Sequence, residues 1–303
     1  MSKPLSGMYA ALMSAFDDDG EFSPARQTAL NAYVLKQGLK GLYVGGSSAE
    51  SGLLETAALL EQQAVVAHDA LGSGASLIAH VGVPALADAR KLARNAAKLG
   101  YNGLSALPPH SYPFSDGEIL GYYKALATET DLPLIVYEVP IRTGRPLPLE
   151  LLVELLDLPN VAGIKYTSTD MFKLTMLQIL RPDSTYFFGF DEVYLSAAAL
   201  GTDGGIGTTY NILGKLYAAL NAAVFVNDLP RARMLQAVSA EFVTGLLEVG
   251  VLPGMKSALR ACGIECGPTR APLAARVAQA DEKMAALVAR PGIREWLVSA
   301  DAP

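Results

Sequence analysis

Along this chain, apolar residues come in short dense runs, each followed by a longer stretch in which they recur every three or four positions. The dense runs at 8–16, 41–46, 76–81, 103–107, 134–139, 161–166, 185–190 and 204–208 have strand length and are rich in Val, Ile, Leu and Tyr. The intervening stretches at 24–37, 55–71, 85–99, 116–130, 148–156, 171–180, 193–200 and 213–226 have helical spacing. Ser23 stands where an N-cap belongs, with Pro24 in the first turn. Near-continuous apolar strands alternating with helices predict a parallel sheet covered by helices, and eight is the number that closes such a sheet. The expected architecture is therefore a (β/α)8 TIM barrel over residues 1–226. A doubly wound open sheet is the competing arrangement, but no G-x-G-x-x-G follows the first strand.

Beyond residue 226 the alternation stops. Residues 230–249, 255–262 and 271–289 predict three helices, punctuated by Pro253-Gly254, Gly267-Pro268 and Pro291-Gly292. Residues 227–303 are expected to form a C-terminal three-helix extension packed on the barrel.

Composition narrows the classes. The 303 residues are 51% hydrophobic and 18% charged, which suits a compact globular chain with a large core. A net charge of −6 and a pI near 5.2 argue against a nucleic-acid surface, and an anionic substrate would need local donors. No stretch approaches ~20 uninterrupted apolar residues, and Met1-Ser2-Lys3-Pro4 has no apolar signal core, so a cytoplasmic protein with no membrane partner is expected. Cys262 and Cys266 do not make a disulfide framework, and reduced thiols are expected. His68, His80 and His110 lie on separate segments without ligand spacing, so neither metal nor cofactor is expected.

In a barrel, chemistry belongs just after the strands, and conspicuous polar residues stand there. Lys165 ends the sixth strand. Burial there would lower its pKa and give a free amine that can attack a carbonyl; a lysine at a strand end is also a common structural ion-pair partner. After the second strand, Gly45-Gly46-Ser47-Ser48 combines close backbone approach with hydroxyls and amides that can hold a carboxylate, or else caps the next helix. Tyr137 ends the fifth strand on its inward phase, as a proton relay or as core. Arg142 can grip a carboxylate or form a rim salt bridge. Asp191 and Glu192 after the seventh strand can accept polyol hydroxyls or cap a helix. The glycine-dense run 204–211 after the eighth makes room for a ligand or turns a barrel corner.

Taken in order, Gly45-Gly46-Ser47-Ser48, Tyr137 and Gly163-Ile164-Lys165 resemble the N-acetylneuraminate lyase / dihydrodipicolinate synthase family of Schiff-base aldolases, over nearly the whole chain. The resemblance implies that Lys165 forms a Schiff base with pyruvate, that Tyr137 relays protons, and that Ser47 and Ser48 bind the pyruvate carboxylate. It implies a small-molecule substrate (pyruvate and a sugar or other aldehyde) and a homotetramer. Gly189-Phe190-Asp191-Glu192 and the run 204–211 look like the sialic acid lyase branch, where Asp191 and Glu192 would hold sugar hydroxyls, helped by Gly189, Gly207, Thr208 and Thr167. Reversible cleavage of N-acetylneuraminate is the activity this implies. Departures from the family pattern are Ser48 for threonine, Ala49 for glycine, Glu138 for asparagine and Ser111 for an aromatic. Arg142 matches the synthase branch, which keeps open condensation of pyruvate with aspartate semialdehyde, or a 2-keto-3-deoxy sugar acid aldolase. A non-catalytic 2-oxo acid sensor is the alternative outside enzymes.

Overall fold

Each apolar run pairs in parallel with the next, and the last closes on the first. The computed structural model describes residues 3, 5–273 and 277–299. In chain order the strands are β1 (Gly7–Ala11), β2 (Gly41–Val44), β3 (Ser76–His80), β4 (Gly103–Ala106), β5 (Leu134–Glu138), β6 (Val161–Tyr166), β7 (Thr185–Phe188) and β8 (Gly204–Gly207). Between and after them run α1 (Pro24–Leu35), α2 (Thr56–Asp69), α3 (Leu86–Lys98), α4 (Asp116–Ala127), the single turn α5 (Pro140–Thr143), α6 (Leu149–Leu156), α7 (Met171–Leu180), α8 (Tyr194–Ala199) and α9 (Tyr210–Phe225). The helices α10 (Leu229–Val249), α11 (Val251–Ala261), α12 (Ala280–Val288) and the one-turn α13 (Pro291–Arg294) follow the barrel. The (β/α)8 barrel is thus present, with helices appended at its C-terminal side. No single helix among the described residues is long and apolar enough to cross a membrane.

Strand alternation sorts side chains into two cores. Outward residues such as Leu42, Leu104, Ile164 and Phe188 pack under the helices. Inward residues, among them Tyr9, Tyr43, Ile78, Ile135, Tyr137 and Phe187, fill the barrel.

The face on which Lys165 emerges depends on an irregularity. Val161 stands opposite Leu134 on the outer side, but the next residue of β5, Ile135, stands opposite Gly163, so Ala162 is extra. Strict alternation from Val161 would turn residue 165 outward. The bulge reverses the phase, Ala162 packs toward the interior core, and Lys165 faces inward directly across from Tyr137.

Several boundaries differ from the sequence expectation. The first strand stops at Ala11, because the amides beyond it find other acceptors. Met13 N–H donates to Asn211, Ala15 N–H to Gln27 and Phe16 N–H to the Cys266 carbonyl. The second ends at Val44, since Gly45 has a φ of +75° and leaves the sheet. The short helices α5 and α13 were not expected, and α9 starts three residues before 213. Pro253-Gly254 does not break the chain but sits in the first turns of α11, where a missing N–H costs nothing. Of the expected helix 271–289, α12 supplies Ala280–Val288, and residues 274–276 lie outside the described residues. Ser23 caps α1 as expected, accepting from the Arg26 amide. Both cysteines are free.

Candidate active site

Lys165 is held among rings rather than among acids. Its Nζ lies 4.0 Å from the Tyr137 ring centre and 4.2 Å from that of Tyr43, and the residue is 4% exposed. Tyr43, Tyr137 and His80 pack against one another at 6.0–6.2 Å between centres. The Tyr43 hydroxyl donates to Ser105 Oγ at 3.0 Å. His80 Nδ1 is 3.0 Å from the Gly45 carbonyl, while its Nε2 accepts from the Leu107 amide at 3.3 Å. Those partners require a neutral ring with its proton on Nδ1. Burial agrees, pushing the His80 pKa down to about 3 with help from the Lys165 charge.

Burial also lowers the Lys165 pKa, opposed by the charge and hydrogen-bonding of Tyr137 and by Asp191, and reinforced by Arg142. No salt bridge to Lys165 is found among the described residues, so the structural ion-pair alternative does not describe it.

Above the amine opens a cavity of about 410 Å³. It gathers residues from four strand ends: Ser47 and Ser48 after β2, Tyr137 in β5 and Arg142 after it, Lys165 in β6 and Thr167 after it, and Gly189, Asp191 and Glu192 after β7. Thr208 joins from β8, 2.6 Å from Ser48 Oγ. Gly207 does not line the cavity. A Cβ there would fall 2.1 Å from Asp191 Oδ1, so its bareness makes space for that carboxylate. Gly189 does the same for the Thr167 hydroxyl, at 1.9 Å. Ser111 lies with Tyr112 at a different surface pocket.

Asp191 is pinned by one oxygen. Its Oδ2 accepts from the amide and hydroxyl of Thr209 at 2.8 and 2.7 Å. Its Oδ1 and the hydroxyl of Thr167 are buried without a hydrogen-bond partner among the described residues. Burial raises the Asp191 pKa to about 6, against the lowering effect of Thr209. Arg142 is exposed and forms no ion pair among the described residues, whereas nearby Arg145 is bound to Asp116 at 2.7 Å.

Sequence reasoning missed two parts of this site. Tyr43 was legible, because it occupies the same inward phase on β2 as Tyr137 does on β5. The wall formed by Val243, Leu246, Leu247 and Val251 was not, since only the tertiary fold brings α10 and α11 to the barrel mouth.

A dry amine beside a tyrosine, at the C-terminal mouth of a closed parallel barrel, is placed for imine formation with a carbonyl substrate. The chain belongs to the dihydrodipicolinate synthetase family, whose profile matches residues 4–290. It is 42% identical over 281 residues to the N-acetylneuraminate lyase of Rhizobium meliloti (strain 1021), covering 91% of this chain and 92% of that protein. The crystal structure of N-acetylneuraminate lyase from Fusobacterium nucleatum superposes with a TM-score of 0.90 at 31% identity, over 97% of this chain and 100% of that one. CdNal from Clostridium difficile, solved in complex with mannosamine, gives a TM-score of 0.92 at 28% identity over 97% and 99%.

Proposed function

We propose that this protein is a class I aldolase that reversibly cleaves N-acetylneuraminate to N-acetylmannosamine and pyruvate. The observation that carries it is the pairing of a buried Lys165 with Tyr137 across adjacent strands at the floor of the cavity. Lys165 Nζ, which desolvation helps to shed its proton, adds as the free amine to the C2 ketone of the open-chain 2-oxo acid, and loss of water leaves a protonated imine. Tyr137 takes the proton of the C4 hydroxyl as the C3–C4 bond breaks, and the bonding pair moves into the imine. N-acetylmannosamine leaves as the aldehyde. The enamine that remains is protonated at C3 and hydrolysed to pyruvate, returning the free amine.

Ser47 and Ser48 hold the carboxylate, which offsets the repulsion of an acidic protein. Asp191 Oδ1, Glu192 and the Thr167 hydroxyl take the sugar-chain hydroxyls, with Thr208 beside them and Gly189 and Gly207 clearing the space. Apolar surface left by Phe172 and Ile179 on α7 fits a homotetramer, which light scattering would test.

The unpaired Arg142 at the rim favours a second reading, an aldolase whose substrate carries a distal carboxylate, such as a 2-keto-3-deoxy sugar acid. Turnover of N-acetylneuraminate, 2-keto-3-deoxygluconate and aspartate semialdehyde by the same preparation separates the two. Arg142→Leu should leave N-acetylneuraminate cleavage within about threefold of the parent, because a solvent-exposed guanidinium at the rim contributes little to holding an uncharged hydroxyl. Abolished cleavage in that variant, with the other substrates preferred, would favour the second.

A further inference from the structure

Directly behind the turn that carries Ser47 and Ser48, the chain bends through a residue ill suited to the bend. Glu50 is left-handed, with φ 59° and ψ 28°, a conformation that favours glycine or asparagine, and its carboxylate is buried. Both features are unfavourable, so they persist only where the surroundings over-determine them.

The surroundings come from the C-terminal helices. Lys256 on α11 stands 2.9 Å from Glu50 Oε1, with side chains 2% and 0% exposed; the contact is an ion pair rather than an aligned hydrogen bond. Glu50 Oε2 accepts from the Arg270 amide at 2.6 Å. Lys256 Nζ also donates to the Pro268 carbonyl at 2.6 Å and lies 4.0 Å from the Phe16 ring centre. On the barrel side, the Glu50 amide donates to the Ser47 carbonyl at 3.1 Å, and the Ala49 carbonyl accepts from Ser14 Oγ at 2.7 Å. Neither Glu50 nor Lys256 lines the cavity, so neither touches substrate there.

We infer that the Glu50–Lys256 pair is a positioning device through which the C-terminal helices hold the Ser47–Ser48 turn at its working distance from Lys165. Lys256 thereby acts on the carboxylate end of a 2-oxo acid without meeting it. This rests on the proposed binding of that carboxylate by Ser47 and Ser48.

Borohydride trapping on the full-length protein tests it, with two probes: pyruvate, which has the carboxylate, and acetone, which lacks it. Lys256→Met and Glu50→Gln each remove the ion pair at nearly constant volume, and Glu50→Gln keeps an acceptor for the Arg270 amide. In either folded variant the half-saturating pyruvate concentration should rise about tenfold or more, because a hydrogen bond to the charged carboxylate that loses its alignment forfeits about that much affinity. The plateau rate and acetone trapping should stay within about twofold, since the amine itself is untouched. Pyruvate saturation equal to wild type would overturn the inference. So would a parallel loss with both probes, or failure of both variants to fold, either of which marks the pair as purely structural. Wild-type protein that traps acetone but shows no saturable advantage for pyruvate would instead bring down the carboxylate assignment and this inference with it.

Discussion

Adding one methyl group at Gly207 should damage the sugar end of the site and leave the amine end working. The Cβ of Gly207→Ala would lie 2.1 Å from Asp191 Oδ1 and 2.3 Å from Tyr210 Cε1. The backbone there is not left-handed, so the effect is one of space alone. Neither neighbour can yield cheaply. Tyr210 is fully buried and stacked 4.1 Å from Tyr217, and Asp191 is tethered through Thr209. Relieving such an overlap in a packed interior costs about 1–3 kcal/mol. If the carboxylate moves, a charged hydrogen bond to substrate worth about 1.5–3 kcal/mol is lost, or roughly 10- to 150-fold in kcat/KM. The assay is release of pyruvate from N-acetylneuraminate, run beside borohydride trapping of pyruvate and a thermal melt. Cleavage should fall by that factor while trapping remains near wild type. Gly121→Ala on α4, where nothing lies within 4 Å, is the control and should stabilise by about 0.5–1 kcal/mol. A Gly207→Ala protein with unchanged cleavage and melting would refute the steric reasoning.

Other outcomes follow from the same geometry. Lys165→Ala should yield no borohydride adduct with pyruvate by mass spectrometry, and Tyr137→Phe should lower kcat for cleavage about 10²- to 10⁴-fold while still forming the adduct. Because the carboxyl of Asp191 titrates near 6, kcat/KM for N-acetylneuraminate should decline as pH falls through that value, and Asp191→Asn should lose that limb of the profile. Glu138 is fully buried, and burial raises its pKa from 4.5 to about 7. The folded state therefore holds a proton that the unfolded chain releases, so stability falls as pH rises from 4.5 to 7 and is level above. Glu138→Gln, which keeps an acceptor for the Leu147 amide at 3.0 Å, should remove that fall, gaining roughly 3 kcal/mol at pH 8 relative to pH 4.5 in denaturant melts.

Much of the barrel was legible because parallel strands buried on both faces leave dense apolar runs, and all the expected runs became strands. Their ends were less so. Ala11 and Val44 stop where distant side chains or a left-handed glycine take over, and neither leaves a periodic trace. The polar residues at strand ends gather around one cavity, apart from Gly207, whose place is beneath Asp191. Two features had no local signal. The apolar wall from α10 and α11 exists only through long-range packing, and the left-handed Glu50 is indistinguishable in sequence from an ordinary turn glutamate. Pro253-Gly254 misled, since the same dipeptide that ends one helix can open another.

The extra residue at Ala162 has a further consequence. Which side of the barrel wall receives the nucleophile is a matter of odd or even chain length ahead of it, not of which amino acid it is. A chain without the residue at 162, and with Val161 still paired to Leu134, would keep every signature side chain in order and present its lysine to the surrounding helices.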